Sequence, residues 1–192
     1  MNTVPVPAPR LRSEIKSMVL AALFAALTAI GAFIQVPLGF TSFTLQTLFT
    51  CLSGVLLGAK WGAISQIVYV ALGLVGLPVF TQGGGLGYLV KPSMGFLLGL
   101  ILLAWLAGLL TRTDRSPLRV VLACAVGELA MYAVALPYMY AVLNLYMGME
   151  KSALDVLKGG MLMFLLGDAV KIAVTALVSG PLLKRVKSAH AE

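Results

Sequence analysis

Long apolar blocks, broken only by glycine, proline and a few charges, constrain this chain more than any other feature. Each is about the length needed to cross a roughly 30 Å hydrocarbon layer. Together they leave no soluble domain of useful size. Of the 192 residues 60% are apolar, against about 45–50% in a typical soluble domain. Backbone in lipid must satisfy its own polar groups, so a helical bundle is the architecture to expect. Apolar runs and punctuation predict six transmembrane helices over residues 14–36, 43–58, 61–79, 93–111, 117–147 and 160–184. The fold class is then all-α, an integral membrane bundle. Pro137 inside the fifth span predicts a kink or break there.

Charge orients the bundle. The net charge of +7 is not gathered into a nucleic-acid face. Arg10, Arg12, Lys16, Lys60, Arg112, Arg115, Arg119, Lys184, Arg185 and Lys187 all fall on one side of a six-span arrangement. Lys91, Lys151 and Lys158 fall on the other, and Lys171 lies within a span. The excess of Lys and Arg on cytoplasmic loops then predicts both termini in the cytoplasm. Residues 1–13, Pro-rich and then basic, read as a disordered cytoplasmic lead. Residues 14–187 form the membrane domain and 188–192 a cytoplasmic tail. No small-residue cleavage site follows the first block, so it is expected to be retained. Cys51 and Cys124 lie in apolar segments and read as packing residues, not a disulfide.

The run "FLLGDAVKIAVTALV" carries Asp168 and Lys171 three residues apart on one helix face. Counted from about Gly160 at 1.5 Å per residue, Asp168 lies on the order of 12 Å inside the outer helix end. Each charge costs about 2.5–3.5 kcal/mol at a helix centre. Two readings follow: an ion pair that only locks the helix in place, or a pair facing a polar cavity open to the outside. In the second, the carboxylate accepts hydrogen bonds from a solute and the ammonium donates to a solute oxygen. Glu128, in "VGELAMYA", is the other intramembrane acid. It is either a proton carrier or a protonated, hydrogen-bonded packing group.

The outer connections are long, above all "GLPVFTQGGGLGYLVKPSMGF". A segment so rich in glycine cannot be a regular helix, and long ordered loops are usually functional. Its glycines and Lys91 fail the phosphate-loop spacing, because Pro92 separates Lys91 from Ser93 and no strand precedes them. A wall or lid over an outward-facing pocket fits better, with Phe80, Gln82, Tyr88 and Lys91 as candidate contacts. Gln46, at the outer end of the second span, is a neutral donor and acceptor on the same side. Ala21, Ala25 and Ala29 form a small-residue stripe that permits close helix approach, either within the bundle or to a partner. Nucleophile–base and metal-ligand arrangements are missing from the pattern: His190 is the lone histidine and no G-x-S-x-G occurs. Neither an enzyme nor a bound cofactor or metal is expected.

"FTLQTLFTCLSGVLLGAKWGAISQIVYVALGLVGLPVF", the loop ending in "KPSMGFLLG", and "FLLGDAVK" together resemble the BioY family. These are the biotin-specific substrate-binding components (S components) of energy-coupling factor (ECF) transporters. The similarity covers residues 43–99 and 160–178. It implies a six-helix protein of a prokaryotic cell membrane that binds biotin from outside. Its partners would be a transmembrane coupling protein and two cytoplasmic ATPases. Asp168 and Lys171 match the family's ligand-binding acid and lysine, and residues 82–91 match the segment that closes over biotin. Ala21, Ala25 and Ala29 match the family's small-residue surface for the coupling protein. Biotin's chemistry suits these residues. Its ureido ring has two N–H donors for a carboxylate and a carbonyl for a lysine, its valerate tail suits a lysine, and its apolar bicycle suits aromatic rings. A stand-alone proton-coupled carrier of a small anionic solute, using Glu128 or Asp168 as proton site, is the alternative.

Overall fold

The computed structural model describes residues 8–38 and 41–191, with side chains described over 13–38 and 41–183. Helix α1 spans Ala8–Phe33, α2 Gln46–Leu74, α3 Met94–Leu110, α4 Pro117–Ala141, α5 Ala153–Leu157 and α6 Leu165–Ala191. A short antiparallel hairpin, β1 (Gln35–Leu38) and β2 (Thr41–Thr44), lies between α1 and α2, with Val36 opposite Phe43. Helix α3 packs between α2 and α4, α1 lies along α2, and α6 leans on both α2 and α4.

Helix α2 is two rods. At Gly58 the backbone turns to φ 80°, ψ 174°, left-handed space that only glycine enters freely. The chain then reverses: the Thr50 hydroxyl reaches the Gln66 side-chain oxygen at 3.1 Å, and the Gln46 amide reaches the Tyr69 hydroxyl at 2.9 Å. Residues sixteen apart in a straight helix would be separated by about 24 Å. The expected spans 43–58 and 61–79 are therefore two antiparallel arms, 46–57 and 59–74. At about 18 Å and 24 Å these arms are shorter than the roughly 30 Å hydrocarbon layer. Ser13–Phe33, Gln46–Leu74 as a whole, Pro117–Tyr146 and Ala153–Leu183 are long and apolar enough to cross a membrane, and Met94–Leu110 is a shorter apolar helix.

Several expected boundaries are corrected. The fold is mainly helical as expected, but Gln35–Leu38 pairs with Thr41–Thr44 as β1–β2. Local sequence hides this, since strands of four residues with Pro37 in one of them carry little signal of their own. The hairpin is held by its surroundings: Leu45 N–H donates to the Gly31 carbonyl at 3.1 Å, and the Gln35 amide to the Thr81 carbonyl at 3.2 Å. The lead 1–13 is not disordered throughout, because α1 begins at Ala8; Pro9 is tolerated in a first turn, where its missing N–H has no helical partner. Residues 1–7 lie outside the described residues. The tail is helical through Ala191, and Glu192 lies outside the described residues. Pro137 sits within α4. The last span starts late, at Leu165, because wide π-type turns over Val142–Tyr146 and Lys158–Leu162 bracket the small helix α5. Ser152 and Asp155 form a capping box at the start of α5.

A fully buried amide ties α1 to the α2 hairpin. Gln66 donates to Thr28 at 3.2 Å and to Ser65 at 3.1 Å while accepting from Thr50. Lipid offers little hydrophobic drive between helices, so such bonds act as glue. Gln66→Leu is expected to lower stability by about 1–2 kcal/mol, within the range of polar contacts between membrane helices. The check is thermal unfolding in detergent, read by labelling of the buried thiols Cys51 and Cys124.

Candidate functional site

A cavity opens where β2, the first arm of α2, the loop after α2, α3, α4 and the start of α6 converge. It encloses about 570 Å³ of space not filled by protein atoms, part of it continuous with the exterior. Among the described residues, none of α1 lines it.

The charged wall comes from α6. Lys171 Nζ lies 2.6 Å from Asp168 Oδ1, and both side chains are buried, at 6% and 3% exposure. The second carboxylate oxygen accepts from the Tyr132 hydroxyl of α4. Lys171 also donates to the Thr44 carbonyl at 3.2 Å and lies 4.4 Å from the centre of the Phe43 ring. A buried ion pair is stable only where hydrogen bonds satisfy its remaining atoms. Here α4 and β2 supply them, and the pair still faces the cavity.

The rest of the lining is neutral. The Tyr88 hydroxyl lies 2.9 Å from Thr81 Oγ1 and accepts from Ser93 at 3.1 Å. Gln46 accepts from the Thr44 hydroxyl at 3.0 Å and donates to Tyr69, which donates on to the Val79 carbonyl at 3.1 Å. Thr41 and Thr47 also line the cavity, and their hydroxyls have no hydrogen-bond partner among the described residues. Phe96, Met131 and Phe164 supply apolar surface. The site can therefore hold a solute with both donors and acceptors on a compact apolar frame.

Of the residues singled out in the sequence, Asp168, Lys171, Gln46 and Tyr88 meet at this cavity. Phe80 does not reach it. It is 1% exposed and stands behind Tyr88, ring centres 4.5 Å apart, where an added Cβ on Gly73 would lie 2.0 Å from the ring. Gln82 and Lys91 face outward and bond to each other at 3.0 Å. They are outside the cavity lining because loop composition does not tell which face a residue takes. Ala21 and Ala25 are buried at 2% and 3%, with Ala29 packed beside them. Ala21 and Ala25 therefore pack within the bundle, while Ala29 is half-buried and the adjoining Ala22 and Ala26 are exposed. Glu128 is buried one turn from Tyr132 on α4, is not part of the lining, and has an oxygen with no hydrogen-bond partner among the described residues.

Sequence reasoning missed Tyr132, Phe43, Thr44, Thr41 and Thr47. The hydroxyl-rich run "TSFTLQT" and a tyrosine four residues after Glu128 were the available signals.

Fold and cavity define a helical membrane protein whose interior cavity presents both polar and apolar surface. The chain belongs to the BioY family, whose model matches residues 4–188. It is 43% identical over 177 residues to a probable biotin transporter BioY of Lysinibacillus sphaericus, covering 91% of this chain and 90% of that one. It is 37% identical over 165 residues to the biotin transporter BioY of Thermotoga maritima, covering 85% and 94%. Among solved structures it resembles the S-component for biotin from an ECF-type ABC transporter, with a TM-score of 0.78 and 25% identity over 90% of this chain and 93% of that one. The chain is thus a multi-pass protein of a prokaryotic plasma membrane and a transporter, not an enzyme.

Proposed function

We propose that this chain binds biotin at the α6 cavity as the substrate-specificity component of an ATP-driven ECF importer. The observation that carries the reading is the buried Asp168–Lys171 pair exposed to a cavity with an apolar wall. Asp168 would accept from the ureido N–H groups and Lys171 would donate to a biotin oxygen. Phe96, Met131 and Phe164 would cover the bicycle, and Tyr88, Thr41 and Thr47 would offer hydroxyls to the remaining polar atoms. The names borne by the relatives support biotin as the solute. The likeness to an S-component supports a coupling protein and two cytoplasmic ATPases as partners. On this reading the α2 arms count as two of six spans and both termini are cytoplasmic, as the basic loops suggest.

Calorimetric titration of the purified protein with biotin, paired with uptake in cells with and without the ATPase subunits, tests the proposal. Tight binding with ATPase-dependent uptake is expected. Absence of binding to folded protein sinks the biotin assignment, and uptake that persists without the ATPases favours the proton-coupled alternative.

A further inference from the structure

We propose that Phe43 is a positioning residue for Lys171, and that Gly167 is the notch that admits it. The inference rests on the reading of Lys171 as a solute-binding group. Phe164, immediately before α6, and Gly167 and Lys171 within it lie on one face by their spacing of three and four, with Asp168 N–H donating to the Phe164 carbonyl at 2.9 Å. The Phe43 ring, delivered from β2, lies against all three. It stacks nearly parallel to Phe164, at 7° with ring centres 6.3 Å apart. A Cβ on Gly167 would lie 2.2 Å from one ring carbon and 2.4 Å from the next, so any larger residue there must expel the ring. One helical turn further, the Lys171 ammonium meets the ring 4.4 Å from its centre.

Geometry and chemistry agree at this point. A lysine side chain has four rotatable carbons and a charge that turns easily. The electron-rich face of an aromatic ring attracts that charge, most strongly where water is excluded. Asp168 and the Thr44 carbonyl draw the ammonium at 2.6 and 3.2 Å, while the ring confines it. Thr44 follows Phe43 directly, so a single strand supplies both the ring and the carbonyl. The β1–β2 hairpin therefore aims the cation as well as lining the cavity. The glycine before Asp168 is explained by the same contact.

The experiment varies the ring's electrons at constant shape. Phe43 is replaced in the full chain by mono- and trifluorinated phenylalanine, and separately by Leu and Tyr, and biotin affinity is measured for each. A stepwise loss with fluorination is expected, reaching about tenfold for the trifluoro ring and for Phe43→Leu, while Phe43→Tyr stays near wild type. Gly167→Ala is expected to weaken binding at least as much, and adding Phe43→Leu to it to cause little further loss, because the ring is already displaced. A flat response to fluorination overturns the proposal and leaves Phe43 as apolar filler. The thermal midpoint of the ligand-free protein is followed across the same series, in wild-type and Lys171→Met backgrounds. A fluorination trend that vanishes with Lys171→Met supports the contact even if biotin fails to bind, whereas a trend that survives Lys171→Met overturns it. Loss of biotin binding in the wild type itself would count against the functional reading alone.

Discussion

Asp168→Asn and Lys171→Ala are each expected to weaken biotin binding by at least about a hundredfold, since removing one partner of a buried pair typically costs about 3–5 kcal/mol. The reason is geometric as much as electrostatic. Asp168 holds Lys171 at 2.6 Å and accepts from Tyr132, while Lys171 holds the Thr44 carbonyl. Neutralising the acid leaves an ammonium in an apolar wall with a carbonyl and a ring for company. Removing the lysine leaves a carboxylate with only the tyrosine hydroxyl. Tyr132→Phe keeps the pair and removes one hydrogen bond, so a smaller loss of about tenfold is expected, in line with about 1.5 kcal/mol for a bond to a charged group. Calorimetry on the three variants, with thermal unfolding alongside to establish folding, checks the ranking. Equal, wild-type affinity in Asp168→Asn and Lys171→Ala would return the pair to an internal lock on α6.

This ranking also explains why part of the site was legible beforehand. A charge in an apolar run is expensive, so Asp168 and Lys171 stood out without any knowledge of the fold. Gln46 and Tyr88 were legible more weakly, as polar groups on the outer side. Tyr132 was not, because an aromatic hydroxyl in a membrane helix is ordinary until its partner is known. The small-residue stripe of α1 announced a close approach, yet its period cannot say to what. Ala21 and Ala25 turn out to face the rest of the bundle. Phe80, Gln82 and Lys91 belong to a loop whose faces are set by Gly73, Tyr88 and the Gln82–Lys91 contact. No local pattern encodes that. The β1–β2 hairpin was hidden for the same reason. Its anchors are Gly31, Thr81, Gly167 and Lys171, all distant in sequence from most of the strand residues they hold. The helical spans were legible because apolar length is a property of each segment alone.

Gly54→Ala is expected to be strongly disruptive, because the added methyl enters a backbone-to-backbone contact of the bundle. An added Cβ would lie 2.3 Å from the Ala104 carbonyl oxygen of α3 and 3.0 Å from Ala107 Cβ. Across the hairpin, a Cβ on Gly62 would meet the Gly54 backbone at 2.8 Å. Gly54 is thus pressed from α3 on one side and from the second α2 arm on the other, both by backbone that cannot rotate away. Close-packed interiors resist such insertion, typically at about 1–3 kcal/mol and more where nothing yields. A loss of about 3 kcal/mol or more is expected, visible as a collapse in the yield of folded protein. Two glycines separate the causes. Gly58→Ala meets nothing within 4 Å but keeps φ at +80° and ψ at 174°, so its cost is the positive-φ backbone alone, about 1–3 kcal/mol. Gly159→Ala meets nothing within 4 Å and needs no positive φ, so it is expected to be neutral within about 0.5 kcal/mol. Thermal midpoints measured in detergent are expected to fall in the order Gly159→Ala, Gly58→Ala, Gly54→Ala. A Gly54→Ala protein as stable as wild type would mean that α2 and α3 are not in backbone contact, and the cavity they help to frame would have to be redrawn.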